Sequence, residues 1–220
     1  MNVYVAKPKG PANGGGIVVF QEAFGVNEYI RDIAERFAAL GFTAVAPELF
    51  HRTGPGFEGA YDNFEPIKVH MAGLTTQGIA ADAQAAFDCL LAQRGVDAQR
   101  VASIGFCMGG RVSFIANATV KLRAAISFYG GGAHELLDLV PKQAGPLLMF
   151  WGGKDQHILP EYYRKVADAL TAAGKTHEQV VFSQADHGFF CDRRASYDAG
   201  ASDQAWALVQ AFLGTFGMFG

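Results

Sequence analysis

Val101-Ala-Ser-Ile-Gly-Phe-Cys-Met-Gly-Gly-Arg111 is the stretch on which the reading of the chain turns. Its opening residues, Val101 to Ile104, form an apolar strand-like run. Gly105-Phe106-Cys107-Met108-Gly109 follows in the form G-x-nucleophile-x-G, and Val112 to Ala118 continues as an apolar segment. The pattern predicts strand, tight turn, helix. A side chain at the middle of such a turn sits on strained backbone, and glycines two residues to either side leave room for it to stand free. A helix N-terminus beneath the sulfur favours thiolate, and the N–H of Met108 would point at an oxyanion forming on a bound carbonyl. Taken alone, a glycine-flanked cysteine is explained as well by a small core residue. The rest of the chain decides between the two.

Working outward, apolar runs alternate with amphipathic ones. Asn2 to Ala6 reads as an edge strand and Pro8 to Gly16 as a turn. Ile17-Val-Val-Phe20 reads as a buried strand leading into Gln21-Glu-Ala-Phe-Gly25. Asn27 is placed to cap a helix carrying Ile30, Ile33, Ala34, Phe37 and Ala38 on one face, which Gly41 ends. Phe42 to Ala46 is a second buried strand. Residues 48–70 show no clean period and read as a long functional loop. Ile79 to Leu91 gives another helix, on which Cys89 is a packing residue. Ala124 to Tyr129, Leu147 to Trp151 and Val180 to Phe182 are further strands, with helices between Pro160 and Gly174 and around Trp206, Val209 and Leu213. Such alternation predicts an α/β fold, a mostly parallel sheet covered on both faces, with ligands at the carboxyl ends of its strands. Glu22, Cys107, Asp155 and His187 all fall there.

Composition narrows the function classes. A chain of 220 residues with 50% hydrophobic content reads as a single domain spanning 1–220. With a net charge of −3 and scattered basic residues it has no footprint for nucleic acid or an anionic membrane. The expected partner is a small molecule, and the expected assembly a monomer or small homo-oligomer. Three cysteines and no secretory pattern at the N-terminus point to a reducing, cytoplasmic compartment. The histidines other than His187, at 51, 70, 134, 157 and 177, lack metal-ligand spacing, so neither a metal nor another cofactor is expected.

His187 follows a strand, and Asp155 lies in Trp151-Gly-Gly-Lys-Asp155, where the glycines turn the chain sharply. With Cys107 they supply nucleophile, base and orienting acid, the groups that acyl transfer through a thioester requires. Together with Gln21-Glu-Ala-Phe-Gly-Val-Asn27, Gly105-Phe-Cys-Met-Gly-Gly110 and Asp186-His-Gly-Phe189, that segment gives a chain that resembles the dienelactone hydrolase (carboxymethylenebutenolidase) family of α/β-hydrolases over nearly its whole length. The resemblance implies an α/β-hydrolase fold and hydrolysis of a small lactone or ester. It implies Cys107 as nucleophile, Asp155 and His187 as the other triad members, and the N–H groups of Ala23 and Met108 as the oxyanion hole. It further implies that Glu22 lies beside Cys107, keeps the resting thiol neutral and takes its proton when substrate displaces the carboxylate.

The sequence departs from that family where a substrate carboxylate is held. The family places one arginine four residues after the histidine, here Cys191, and another in the long loop, where only Arg52, Lys68 and His70 are available. Tyr129, Lys68, Arg193 and Arg194 are the remaining candidates for substrate contact. Preference for anionic substrates is expected to be weak unless Arg193, Arg194 or Lys68 supplies the charge. The competing readings are a general short-chain carboxylesterase and, from another class, a thiol sensor or ligand-binding protein on the same fold. A sensor needs only the thiol, so Glu22, Asp155 and His187 favour an enzyme.

Overall fold

One sheet of seven strands, in the order β1-β3-β2-β4-β5-β6-β7, forms the centre of the computed structural model, which describes residues 1–219. The strands are β1 (Val3–Ala6), β2 (Gly16–Phe20), β3 (Thr43–Pro47), β4 (Val101–Phe106), β5 (Ala124–Phe128), β6 (Leu147–Gly152) and β7 (His177–Phe182). β1 runs antiparallel to β3, and every other neighbouring pair is parallel. Strands β2 to β6 are buried along their whole length, as apolar strands covered on both faces must be. β7, at the edge, is largely half-exposed.

The helices are α1 (Glu28–Ala39), α2 (Ile67–Ala72), α3 (Thr76–Leu91), α4 (Met108–Thr119), α5 (Pro160–Ala172) and α6 (Ala199–Thr215). The β2-α1-β3 crossover steps one way along the sheet and β4-α4-β5 steps the other. Because parallel crossovers are right-handed, α1 and α4 lie on opposite faces. Phe37 of α1 meets Trp206 of α6 with ring centroids 5.0 Å apart, while α3 packs on α4. α1 shows how the sequence sets an element. Asn27 accepts the N–H of Ile30 at 3.2 Å, and Ile30, Ile33, Ala34 and Phe37 are buried at helical spacing. Each of the larger side chains contributes about 1.5–3 kcal/mol by leaving water. Gly41, at φ 91°, ends the run in a conformation that favours glycine.

Residues 48–70 are not irregular throughout, because α2 begins at Ile67. Six residues are too few for a period to register in sequence, and tertiary packing holds the helix instead. Ile67 and His70 are its buried residues, with the His70 ring 4.1 Å from that of Phe57. The start of the segment is tied to α3 by Asp82, whose two carboxylate oxygens accept from Arg52 at 2.6 and 2.7 Å. Two 3-10 turns, Ala133–Glu135 and Leu137–Lys142, also have no counterpart in the sequence reading.

The strand order reverses about β2. The chain leaves β2 for β3 on one side and returns past it to β4 on the other, so the carboxyl ends of β2 and β4 open onto a shared crevice. Phe20 pairs with Gly105, and Gln21 to Ala23 therefore emerge beside Phe106 to Met108. The approach is closed by glycine: a Cβ on Gly109 would collide with the carbonyl oxygens of Phe20 and Gln21, and one on Gly105 with that of Gly109. Among the described residues no helix is long and apolar enough to cross a membrane.

Candidate active site

Cys107 occupies the turn between β4 and α4 with φ 55° and ψ −118°, one of two non-glycine residues at positive φ among those described. Left-handed backbone costs a side-chain-bearing residue about 1–3 kcal/mol, and the turn is held by the Cys107 N–H donating to the carbonyl of Phe128 at 3.0 Å. That geometry lifts Sγ out of the sheet end to 3.2 Å from Nε2 of His187. His187 stands in the loop after β7 and its Nδ1 lies 2.7 Å from Oδ2 of Asp155, in the turn after β6. The other Asp155 oxygen, Oδ1, accepts the N–H groups of His157 at 2.7 Å and Ile158 at 3.0 Å. Three loops thus bring cysteine, histidine and aspartate into one line of hydrogen bonds.

The electrostatics follow from burial and pairing. Burial disfavours charge on His187, yet the hydrogen bonds with Asp155 and Cys107 push it up from 6.5 to about 10. Burial likewise works against the Asp155 carboxylate. Its bond to His187 and the two backbone donors prevail and hold it below the usual carboxylate range.

Glu22 is fully buried, and burial pushes its carboxyl up against the opposing pull of Arg194. Its Oε1 accepts from Nη1 of Arg194 at 3.1 Å. The arrangement differs from the sequence expectation, since the carboxylate engages Arg194 while the sulfur engages His187. The cause is a contact spanning 172 residues that no local pattern announces. The Arg194 guanidinium also lies over the Phe24 ring, 5.7 Å from its centroid. Cys191, buried, turns its thiol to the Tyr61 hydroxyl at 3.4 Å, and burial pushes that thiol up to about 12.

The other candidates separate sharply. Lys68 pairs at 2.5 Å with Glu65 on the exposed surface of α2 and lines neither cavity that reaches Cys107, so it is no substrate contact in this structure. Tyr129 is fully buried and also lines neither; its ring supports that of His187, with centroids 5.1 Å apart. Arg193 is paired with Asp32 and Asp192 and lines a third cavity, of about 460 Å³, that reaches His187 and Arg194 but not Cys107. Arg194 does line the cleft.

Two cavities flank Cys107. One, of about 290 Å³, lies between the elbow helix and α2–α3, lined by Ala23, Met71, Met108, Arg111, Ile158 and His187 among others. The second, of about 450 Å³, opens on the Phe24, Tyr61 and Arg194 side. Both reach Ala23, the first reaches Met108 as well, and the N–H groups of these two residues have no acceptor among the described residues. His157 and Arg111 line this region without having been singled out in sequence. For Arg111 a signal existed: it falls in the first turn of the helix that follows Cys107.

A mostly parallel seven-stranded sheet with a glycine-flanked strand-to-helix turn at its switch point defines the class of α/β-hydrolases. The model of the Dienelactone hydrolase family matches residues 1–217, and the chain belongs to that family of hydrolases. It is 33% identical over 222 residues to a Synechocystis sp. protein named "Putative carboxymethylenebutenolidase", covering 96% of this chain and 90% of that one. Among solved structures it is similar to the "Putative Dienelactone Hydrolase" of Klebsiella pneumoniae, with TM-score 0.85, 33% identity and coverage of 96% of this chain and 92% of that one. It is similar also to the dienelactone hydrolase-like promiscuous phosphotriesterase P91 from metagenomic libraries, with TM-score 0.82, 28% identity and coverage of 98% and 89%.

Proposed function

We propose that the protein hydrolyses small esters or lactones through a covalent thioester on Cys107. The observation that carries this reading is the line Cys107 Sγ, His187 Nε2, His187 Nδ1, Asp155 Oδ2, with separations of 3.2 and 2.7 Å at its two hydrogen bonds. His187 accepts the thiol proton at Nε2, helped by the Asp155 charge at Nδ1. Sulfur attacks the substrate carbonyl, and the oxygen that gains the electron pair meets the N–H groups of Ala23 and Met108. Collapse of the tetrahedral species breaks the bond to the alcohol oxygen, which takes the proton from His187. Water then attacks the thioester, giving a proton to His187, and the acid leaves as the thiol is restored.

Accepting from Arg194, Glu22 ties the loop that carries His187 and Arg194 to the end of β2. The sensor reading draws no support of its own from this site, because a redox thiol needs no orienting carboxylate beneath its histidine.

The test is interception of the intermediate. Mixing the enzyme with 4-nitrophenyl acetate and quenching in acid should yield an acetyl adduct on the peptide containing Cys107, formed in a burst that precedes steady turnover. Turnover without any adduct on that peptide, or undiminished in Cys107→Ala, rejects the mechanism.

A further inference from the structure

Arg111 belongs to the stretch that sets the fold, and nothing in the reaction described above uses it. It stands in the first turn of α4, its N–H 3.4 Å from the carbonyl oxygen of Cys107, the residue that precedes the helix, and both residues line the smaller cavity. The Arg111 side chain lies across Gly132, where a Cβ would meet Nη1 at 2.8 Å. Among the described residues lining that cavity, Arg111 is the one side chain with a permanent charge. Its neighbours there are apolar, save Thr76, Cys107 and two histidines.

The state of that charge sets it apart from the other cations near the site. Arg52 is held by Asp82, Lys68 by Glu65, Arg193 by Asp32 and Asp192, and Arg194 by the buried Glu22. Arg111 makes no side-chain hydrogen bond among the described residues. Its one ion pair is with Glu135, at 3.9 Å and with a Glu135 side chain 60% exposed. A long pair in water holds its members weakly. A guanidinium offers five donors in a planar fork that matches a carboxylate, so an uncommitted one beside a reacting thiol is a receptor for such a group.

We propose that Arg111 binds a carboxylate of the substrate, so that the enzyme selects esters or lactones bearing an acid group and holds that group from the elbow helix. The proposal rests on the reading of Cys107 as nucleophile. It moves the anion contact to the wall opposite the loop after His187. Arg194 already faces the buried Glu22 at 3.1 Å, whereas the carboxylate nearest Arg111, that of Glu135, is 3.9 Å away and 60% exposed, so a substrate carboxylate meets less repulsion at Arg111.

Two matched pairs of substrates test it. In the first the acid lies on the acyl part: 4-nitrophenyl hydrogen succinate against its methyl ester. In the second it lies on the leaving group: 4-carboxyphenyl butyrate against the methyl ester of its carboxylate, with phenol release as the readout. The quantity measured is the ratio of kcat/KM for the acid to that for the neutral partner. Intrinsic reactivity cancels when the same ratio is compared between enzymes.

Arg111→Gln should lower the ratio about tenfold or more in at least one pair, the size of a charge-assisted hydrogen bond. Arg111→Lys should restore part of it, as a point charge without the fork. Glu135→Gln, which removes the competing carboxylate from an exposed position, should raise the ratio. Raising salt from about 20 to 500 mM should lower the ratio in the wild type. These last two measurements decide the matter if Arg111→Gln does not fold. A ratio unchanged within twofold in both pairs, or abolished by Arg194→Gln and not by Arg111→Gln, overturns the proposal. Loss of the underlying function reading looks different: Cys107→Ala would then cleave acid and neutral members alike at the wild-type rate.

Discussion

Asp155→Asn is the substitution that asks most of the site, because the structure dictates how the amide must sit. Oδ1 of Asp155 accepts two backbone N–H groups, from His157 and Ile158, so an asparagine keeps its carbonyl oxygen there and turns its NH₂ toward His187. The amide then donates to Nδ1. That forces the ring proton onto Nε2, which aims it at Cys107 Sγ and leaves no lone pair to accept the thiol proton. The lost charge can be sized as well. His187 is raised from 6.5 to about 10, a preference for imidazolium of roughly 5 kcal/mol shared between Asp155 and Cys107. The bond to Asp155 is the largest of the contributions that raise it, so its loss weakens the base directly. The inverted tautomer adds to this, for a total of about 10³- to 10⁴-fold. The assay is kcat/KM for 4-nitrophenyl acetate from pH 5 to 10, with circular dichroism melting to show that the fold persists. Retention of more than about a tenth of wild-type activity by a folded Asp155→Asn protein would refute the reasoning, since neither the charge nor the tautomer would then matter.

Four further outcomes are expected. Cys107→Ala should remove ester hydrolysis, and combining it with His187→Ala should cost no more than Cys107→Ala alone, as for groups acting as a unit; additive losses count against the triad. His187, with a folded pKa near 10 against 6.5, stabilises the fold fully below about pH 6.5 and loses that contribution as pH rises toward 10. The melting temperature of the wild type should therefore fall more between pH 7 and 10 than that of His187→Ala, and parallel profiles would contradict the pairing. Arg194→Gln strands a buried carboxylate and should cost about 3–5 kcal/mol at pH 8. The cost should shrink at pH 5, because Glu22, already pushed up by burial, holds a proton more tightly folded than unfolded; equal urea midpoint shifts at the two pH values argue against it. Gly105→Ala drives a methyl group into the Gly109 carbonyl and should lower thermal stability and activity together, by about 1–3 kcal/mol or more in stability, whereas an unaltered melting curve would mean the elbow is looser than its geometry implies.

Much of the sheet is legible in the chain because strands buried on both faces are continuous apolar runs bounded by glycine and proline, and α1 because its cap and period agree. The loops that carry Cys107, Asp155 and His187 are legible for the same reason, each following such a run. What escapes is whatever only tertiary contact decides. α2 is six residues held by the burial of Ile67 and His70, and no period develops over that length. The Arg194 to Glu22 bond joins residues 172 positions apart, so no local pattern announces it. Lys68 is misread for the converse reason, since its place in the chain says nothing of which way α2 turns it. Arg111 lay within the motif itself, and only the cavity it lines brings it to notice.

The spans of the contacts at the site set an order on its appearance during synthesis. Cys107 leaves the ribosome well ahead of His187, its partner 80 residues later, and Glu22 waits still longer for Arg194. A nascent chain that has completed β4, β5 and even β6 presents the thiol on a sheet lacking its edge, with no imidazole to share its proton. The last loop to arrive brings the histidine and the arginine together, seven residues apart. The line of hydrogen bonds thus waits on the loop after β7, and a product truncated before β7 carries the Cys107 thiol without its His187 partner.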